Sequence, residues 1–236
     1  MLPIAILAGG TATRLRPASD TVPKSLVPVA GEPFVAHQLR LLRREGIEQA
    51  VLCIGHLGEM IRAFVGDGAD FGLKVAYSED GAQPLGTGGA LRHALPLLGE
   101  AFFVLYGDSY LDISFAPVLA AFQRSGAPAL MTVFRNDGRW DTSNIVFDGS
   151  RILRHDKRAT TPDMHHIDYG LGIFAREALA NLSPTWPLDL ADVYAALAAD
   201  GGLVGYEVTQ RFYEIGTPDG LAATDAYLTQ TRKHGR

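Results

Sequence analysis

Two glycines at the exit of an apolar run, followed by spaced cations, are the first residues of this chain equipped to do chemistry. After Ile4 to Ala8 comes Gly9-Gly10, then Arg14 and, past Pro17, the run Pro23-Lys24-Ser25-Leu26-Val27-Pro28-Val29. Paired glycines let the main chain approach a ligand closely and aim successive N–H groups at phosphate oxygens. Arg14 adds a planar fork of donors and Lys24 a mobile point charge. Together they suit a triphosphate whose leaving pyrophosphate must be stabilised. Two glycines alone would serve a tight strand-to-helix turn equally well. A dinucleotide site would ask for G-x-G-x-x-G opening a helix. That spacing is missing, and Pro17 and Pro23 argue against a helix directly after the loop.

A carboxylate stands at another strand exit. The apolar run Phe102 to Leu105 ends in Tyr106-Gly107-Asp108-Ser109, a natural position for a metal ligand, since magnesium prefers oxygen donors and bridges carboxylates to phosphates. An Asp that caps the next turn is the plainer reading. Gln83-Pro84-Leu85-Gly86-Thr87-Gly88-Gly89-Ala90 lies between a strand and a helix candidate. Gln83 carries a donor and an acceptor for a base edge, and the glycines allow packing against a planar ring; a glycine-rich connection explains the same residues.

Leu7-Ala8-Gly9-Gly10-x-x-x-Arg14-Leu15 taken with Pro23 to Val29 resembles the signature of the sugar-1-phosphate nucleotidyltransferase family, and matching segments recur to about Thr217. The resemblance implies a Rossmann-like three-layer α/β sandwich of the nucleotide-diphospho-sugar transferase type. Leu7, Ala8, Gly9 and Gly10 would hold the triphosphate with Arg14 and Lys24 facing its charge, and Gln83 and Gly88 would touch the nucleoside. Gly107-Asp108 matches the family's metal motif, so Asp108 is implied to bind magnesium, and Gly107 is implied to contact the sugar phosphate together with Lys157, Tyr169 and Gly170. The second ligand falls in Phe212-Tyr213-Glu214-Ile215-Gly216-Thr217, where Glu214 replaces the usual Asp; one more methylene allows direct coordination, coordination through water, or a non-catalytic role. Asp156-Lys157 resembles the acidic-Lys element, with Asp in place of Glu and without the proline that often follows, and Tyr169-Gly170 the later glycine-bearing strand. Lys157 would hold the acceptor phosphate and Gly170 would leave room for the sugar ring. A basic run is also a common solvated loop.

Other residues stay unassigned. Adjacent His165 and His166 on a strand point to opposite faces and do not share a metal. His155, Trp140 and Asp141 suit either the sugar pocket or a polar loop, and Asp112 reads as a turn residue. Cys53, the single cysteine, sits in the apolar run Val51 to Ile54 and reads as inert packing. No Ser-His-Asp or Cys-His arrangement stands out.

The elements that must position these residues follow from the apolar periodicity. Short apolar runs at Pro3 to Ala8, Ala50 to Ile54, Lys74 to Tyr77, Ala101 to Tyr106 and Ala129 to Phe134 predict buried strands. Helix-length segments at Pro33 to Glu45, Leu57 to Val65, Thr87 to Leu98 and Phe115 to Arg124 alternate with them, which predicts a mostly parallel sheet. Further strands are expected at Asn144 to Val146, Ile152 to Arg154, Ile167 to Phe174 and Phe212 to Ile215, then a helix from Pro218 to Thr231 capped by Thr217. The whole chain is expected to be one domain. Within it, residues 1–134 would bind the nucleotide, residues 135–216 would bind the sugar and supply the second metal ligand, and residues 217–236 would form the C-terminal helix.

With 236 residues, 47% of them hydrophobic, the chain can bury a large core. A formal charge of -5 and a pI near 5.8 leave no basic field for nucleic acid or anionic membrane. No run approaches the roughly 20 apolar residues of a membrane span and no secretory leader is legible, so cytoplasmic residence is expected. A homodimer is compatible with the sequence. The activity expected is transfer of a nucleoside monophosphate to a sugar 1-phosphate with magnesium. The Pro84-Leu85-Gly86-Thr87-Gly88-Gly89 form resembles that of family members activating heptose, mannose or amino-sugar phosphates, and this resemblance implies GTP or UTP as donor, with CTP and dTTP open. A catalytically silent sensor of the same fold, or a nucleotidyltransferase for a cofactor or choline phosphate, are the rival readings.

Overall fold

The computed structural model describes residues 1–10, 15, 21–81, 83–182 and 187–234. In chain order its strands and helices are β1 (Ile4–Leu7), β2 (Pro28–Val29), β3 (Glu32–Pro33), α1 (Phe34–Arg44), β4 (Gln49–Ile54), α2 (Gly58–Val65), β5 (Lys74–Glu79), α3 (Thr87–Ala94), β6 (Ala101–Tyr106), β7 (Ser109–Tyr110) and α4 (Phe115–Ser125). They continue with β8 (Ala129–Arg135), β9 (Ile145–Phe147), β10 (Ile152–His155), β11 (His166–Ala175), α5 (Glu177–Ala180), α6 (Leu190–Ala199), β12 (Leu203–Val208), β13 (Tyr213–Glu214) and α7 (Pro218–His234).

Among the described residues nine strands form one mixed sheet, with β10-β9-β11-β6-β1-β4-β5 as its main path and β8 and β12 continuing from β11. Strands β6, β1, β4 and β5 are parallel, whereas β11 runs antiparallel to both β6 and β8. The alternation of side chains across a strand divides the core into two layers. Ile4, Ile6, Leu52, Phe103 and Leu105 face α1, α2 and α4 through Leu39, Leu42, Ile61 and Phe115. On the other face, Ala5, Val51, Phe102 and Val104 meet α3 and α6 through Leu91, Ala94, Val193 and Tyr194. Helices thus cover both faces, giving the α/β three-layer architecture with a mixed sheet. Being apolar toward both layers, the parallel strands read as unbroken hydrophobic runs.

The differences from the sequence expectation lie mostly past residue 135. The helix α6 and the strand β12 have no counterpart among the expected elements; α6 is apolar on most of its faces, which blurs its helical period. The expected return strand at Phe212 to Ile215 is only the two-residue β13, paired with β7 rather than with the main sheet. The helix expected through Leu98 ends at Ala94 and tightens into a 3-10 turn over Leu95–Leu97 that contains Pro96. Thr217 does cap α7, its hydroxyl accepting from Gly220 N–H at 3.0 Å.

Candidate active site

The glycine turn leaves β1 at the carboxyl end of the parallel strands, the edge where open α/β sheets carry ligands. Ala8 N–H donates to Cys53 O at 2.8 Å and Gly107 N–H to Leu7 O at 3.0 Å, so the exits of β4, β1 and β6 are tied together. The approach at Gly107 is close: a β-carbon there would lie 3.0 Å from Ala8 Cα, which only glycine avoids. Leu7, Ala8, Gly9, Gly10, Lys24 and Asp108 line one side of a cavity of about 750 Å³, with Gly86 and Thr87 opposite. Lys24 begins a 3-10 turn, Lys24–Leu26, and donates from Nζ to Asp108 Oδ2 at 2.9 Å. Arg14 lies outside the described residues.

Two residues expected at the nucleoside flank residues that line the cavity, Gly81, Pro84, Thr87 and Ala90, without lining it themselves. Gln83 is exposed and Gly88 is buried, and neither lines this cavity. Gly88 is a packing residue: a β-carbon there would come within 3.0 Å of Leu188 and 3.2 Å of Val193, and its N–H is already bonded to Leu188 O. The wall contains instead His56, Asp80 and Tyr106, which the sequence reading does not assign to a site. Asp80 follows β5 directly, so the rule that ligands gather at strand ends could have found it. Its carboxylate accepts from Leu85 N–H at 3.3 Å, and burial holds its pKa above the ordinary value. Cys53 also borders the cavity, buried enough that its thiol pKa is pushed up to about 12, which leaves it an unreactive packing group.

A second cavity, of about 660 Å³, adjoins the first at Tyr106 and Asp108, which line both. Lys157, Tyr169, Gly170 and Glu214 border it, as do Trp140 and Asp141. Lys157 is placed by its neighbour: Asp156 accepts from the N–H groups of Arg158 and Ala159, both at 2.9 Å, and these bonds hold its pKa at about 2. Tyr169 and Gly170 are placed by a bulge in β11. Between the pairs Asp168↔Val133 and Gly172↔Met131, three residues of β11 face one residue of β8, Thr132. The fully buried Thr132 hydroxyl donates to Leu171 O at 2.6 Å and accepts from Leu171 N–H at 3.3 Å, closing the gap in the ladder. Gly170 takes φ +107°, and a β-carbon there would also lie 3.2 Å from Ser109 Oγ. Both conditions favour glycine.

Asp168, which no sequence motif marks as a site residue, stands at the start of this bulge. Its Oδ1 accepts from Gly170 N–H and its Oδ2 from the Tyr106 hydroxyl, each at 2.9 Å. Burial raises the Asp168 pKa against the opposing pull of these bonds and of His155 and Lys157. Burial, reinforced by the Asp168 charge, keeps the Tyr106 phenol protonated. His155 is itself buried edge-on to the Tyr194 ring at 6.0 Å.

Glu214 reaches the same place through the β7–β13 pair, where it faces Ser109, while Ile215 N–H donates to Asp108 O at 2.9 Å. Its longer side chain folds back: Thr217 Oγ1 donates to Oε1 at 2.9 Å, and Gly216 N–H donates to Oε2. A negative group at the first turn of α7 is favoured by the helix dipole. Gly216 separates the two carboxylates, a β-carbon there running into Glu214 and coming within 3.4 Å of Asp108 Oδ2. The donor set fits a magnesium ion. Carboxylate oxygens are its preferred ligands, and among the described residues no third acidic, His or Cys side chain completes a cage, which leaves room for phosphate and water.

The remaining polar residues separate. His166 is buried with Nε2 3.2 Å from Glu207 Oε1, whereas His165 is exposed. Asp112 is an anchor rather than a simple turn residue: its carboxylate accepts from Arg44 and from the Tyr227 hydroxyl of α7. Among the described residues no helix is long and apolar enough to cross a membrane.

Comparison with known proteins places the chain among nucleotidyltransferases. Over 97% of its length the chain is 29% identical to the mannose-1-phosphate guanylyltransferase catalytic subunit beta of Danio rerio, covering 65% of that protein. It is 42% identical over 123 residues, 52% of each chain, to N-acetylmuramate alpha-1-phosphate uridylyltransferase of Neisseria meningitidis. The chain spans about two thirds of the length of the full-span curated relatives, 66% and 65% for two of them. HddC from Yersinia pseudotuberculosis, in a structure with GMP-PN, shares the fold with a TM-score of 0.80 at 20% identity, covering 97% of this chain and all of that one. The family model described as nucleotidyl transferase matches residues 4–226, and the chain therefore belongs to the nucleotidyl transferase family.

Proposed function

We propose that this protein transfers a nucleoside monophosphate from a nucleoside triphosphate to a sugar 1-phosphate, releasing pyrophosphate. The observation that carries the reading is Asp108, common to two adjoining cavities and paired with Lys24. One cavity has the glycine turn of a phosphate cradle, and the other has Lys157 at a pocket of sugar size. Relatives named as sugar-1-phosphate nucleotidyltransferases support the same reaction class.

An oxygen of the sugar phosphate attacks the α-phosphorus in line, forming the new P–O bond as the bond to the β-phosphate oxygen breaks. The nucleophile is already an anion, so no general base is needed. The barrier is chiefly repulsion among anions, which fixed positive groups lower. Lys24 would turn from Asp108 to the leaving pyrophosphate, whose charge Arg14 would also offset, and Lys157 would align the acceptor phosphate. The N–H groups of the Gly9-Gly10 turn would hold the donor phosphates. Asp108 and Glu214 would hold magnesium, which supplies neutralisation of phosphate charge. GTP and UTP are the donors we favour, among relatives named for guanylyl, uridylyl and thymidylyl transfer.

Pyrophosphate release from GTP, UTP, CTP and dTTP against mannose, glucose, heptose and amino-sugar 1-phosphates, with and without magnesium, tests the proposal. Release that requires both substrates and the metal is the expected result. Binding of nucleotide with no release under any pairing would replace this reading with that of a silent sensor.

A further inference from the structure

Gln38 lies on the face of α1 that also carries Val35 and Leu42, and it is fully buried. An aliphatic side chain would fill this place without the cost of desolvating an amide. The carboxamide is instead directed at two carbonyls. Its Nε2 donates to Tyr106 O at 3.1 Å and to Ser109 O at 2.8 Å, the groups on either side of Gly107-Asp108. Because both partners only accept, the nitrogen end of the amide must face them. Both of its hydrogens are thereby used, while Oε1 is buried with no partner among the described residues. An unpaired buried acceptor lowers stability, so packing does not account for the residue.

The turn that Gln38 supports is fastened from three sides. Gly107 N–H donates to Leu7 O of β1, and Asp108 O accepts from Ile215 N–H beside β13. Gln38 holds the third side from α1, across 68 and 71 positions of sequence. With the peptide planes on both sides of Asp108 fixed, the direction of its side chain is fixed with them. The preceding residue of the helix acts near the other half of the ion pair. His37 Nε2 donates to Val29 O at 2.8 Å, and Phe34 N–H to Val27 O at 3.1 Å, in the segment that follows Lys24. One stretch of α1 thus braces the backbone on both sides of the 2.9 Å contact between Lys24 and Asp108. Gln38 itself lines neither cavity.

Resting on the proposed reaction, we infer that Gln38 is a positioning residue: acting through the Gly107-Asp108 turn, it aims the Asp108 carboxylate at the junction of the two cavities, where Lys24 and a magnesium ion both depend on it. It touches no reactant. Partners that orient a metal ligand from behind commonly matter by about 10- to 100-fold to metal affinity or activity.

The test compares wild type with Gln38→Met, which keeps the length of the side chain and loses both donors, and with Val35→Ala, which loosens the same helix without removing either bond. Hydrogen exchange of the metal-free protein, read by mass spectrometry on peptides containing residues 106–109, should be about tenfold faster in Gln38→Met and little changed in Val35→Ala. The magnesium concentration for half-maximal pyrophosphate release should rise by about tenfold or more in Gln38→Met alone, with the acceptor KM at saturating magnesium nearly unchanged. Should Gln38→Met fail to fold, Gln38→Asn, whose carboxamide is one methylene short of the turn, is expected to move both measurements in the same direction. Unaltered exchange at the turn, or a magnesium requirement that stays fixed or rises equally in Val35→Ala, overturns the inference while wild-type turnover upholds the reaction. Absence of wild-type release with every pairing would remove the reaction and leave the exchange rates to judge the hold on the turn.

Discussion

Lys24 and Asp108 are bonded to each other in a site that would need both for separate tasks. Removing either partner should therefore cost catalysis far more than fold. Lys24→Ala or Asp108→Asn is expected to lower kcat/KM by about 10²-fold or more, with an unchanged thermal melt. The double variant should lose less than the product of the single losses, because residues in contact are not additive. Unchanged turnover in either single variant takes that residue out of the mechanism. Asp168 makes a prediction of the opposite kind, about stability. Its folded pKa lies above its unfolded one, so the folded state holds the proton to higher pH. That contribution is present at low pH and is lost as pH rises from the ordinary carboxyl range through the raised folded value. Asp168→Asn should flatten this region of the melting-temperature profile and raise the melting temperature at neutral pH relative to wild type. A profile of unaltered slope would contradict the assignment.

At the scale of elements, the bulge in β11 is the feature with the most consequences. Thr132→Val keeps the shape but leaves Leu171 N–H and C=O without partners, a loss of about 1–3 kcal/mol per buried group. Urea unfolding should show a drop of at least about that size, whereas a shift near zero would mean that the hydroxyl does not support the bulge. Gly170→Ala should be worse for the site than for the fold, since it adds a positive-φ strain beside Ser109. The parallel half of the sheet is legible in the sequence because strands buried on two faces are written as continuous apolar runs, and Gly9, Gly10, Gly107 and Asp108 stand where those runs end. The bulge is not legible, because nothing in Ile167-Asp168-Tyr169-Gly170 reveals that three residues must oppose Thr132. For the same reason Asp168 carries no signal of its own, although its neighbours Tyr169 and Gly170 do. Gly88 shows another limit: a glycine string marks close approach, but not whether a ligand or another helix does the approaching. Gly88 meets Leu188 and Val193 from a segment whose helix, α6, is apolar on most of its faces and so has little amphipathic contrast to announce it.

Across the whole molecule, α7 ties the beginning of the chain to its end. Asp225 accepts from Ala30 N–H at 2.7 Å and Arg232 donates to Ala30 O at 2.6 Å, so the β2–β3 turn just beyond Lys24 is gripped on both backbone groups. Tyr227 stacks on Tyr213 with ring centroids 3.9 Å apart and reaches Asp112, which also accepts from Arg44 of α1. Glu214 joins this helix to the proposed metal position through Thr217 and Gly216. Asp225→Ala with Arg232→Ala is expected to reduce turnover while leaving the circular dichroism spectrum of the sheet and helices intact; undiminished turnover would show that the grip on the hairpin is dispensable. The two bonds to Ala30 span 195 and 202 positions of sequence. Contacts that distant must wait until the intervening polypeptide has collapsed, because joining remote ends is entropically costly and comes late. A refolding chain should consequently regain its secondary structure before it can turn over substrate, and the interval between the two signals would time the docking of this one helix.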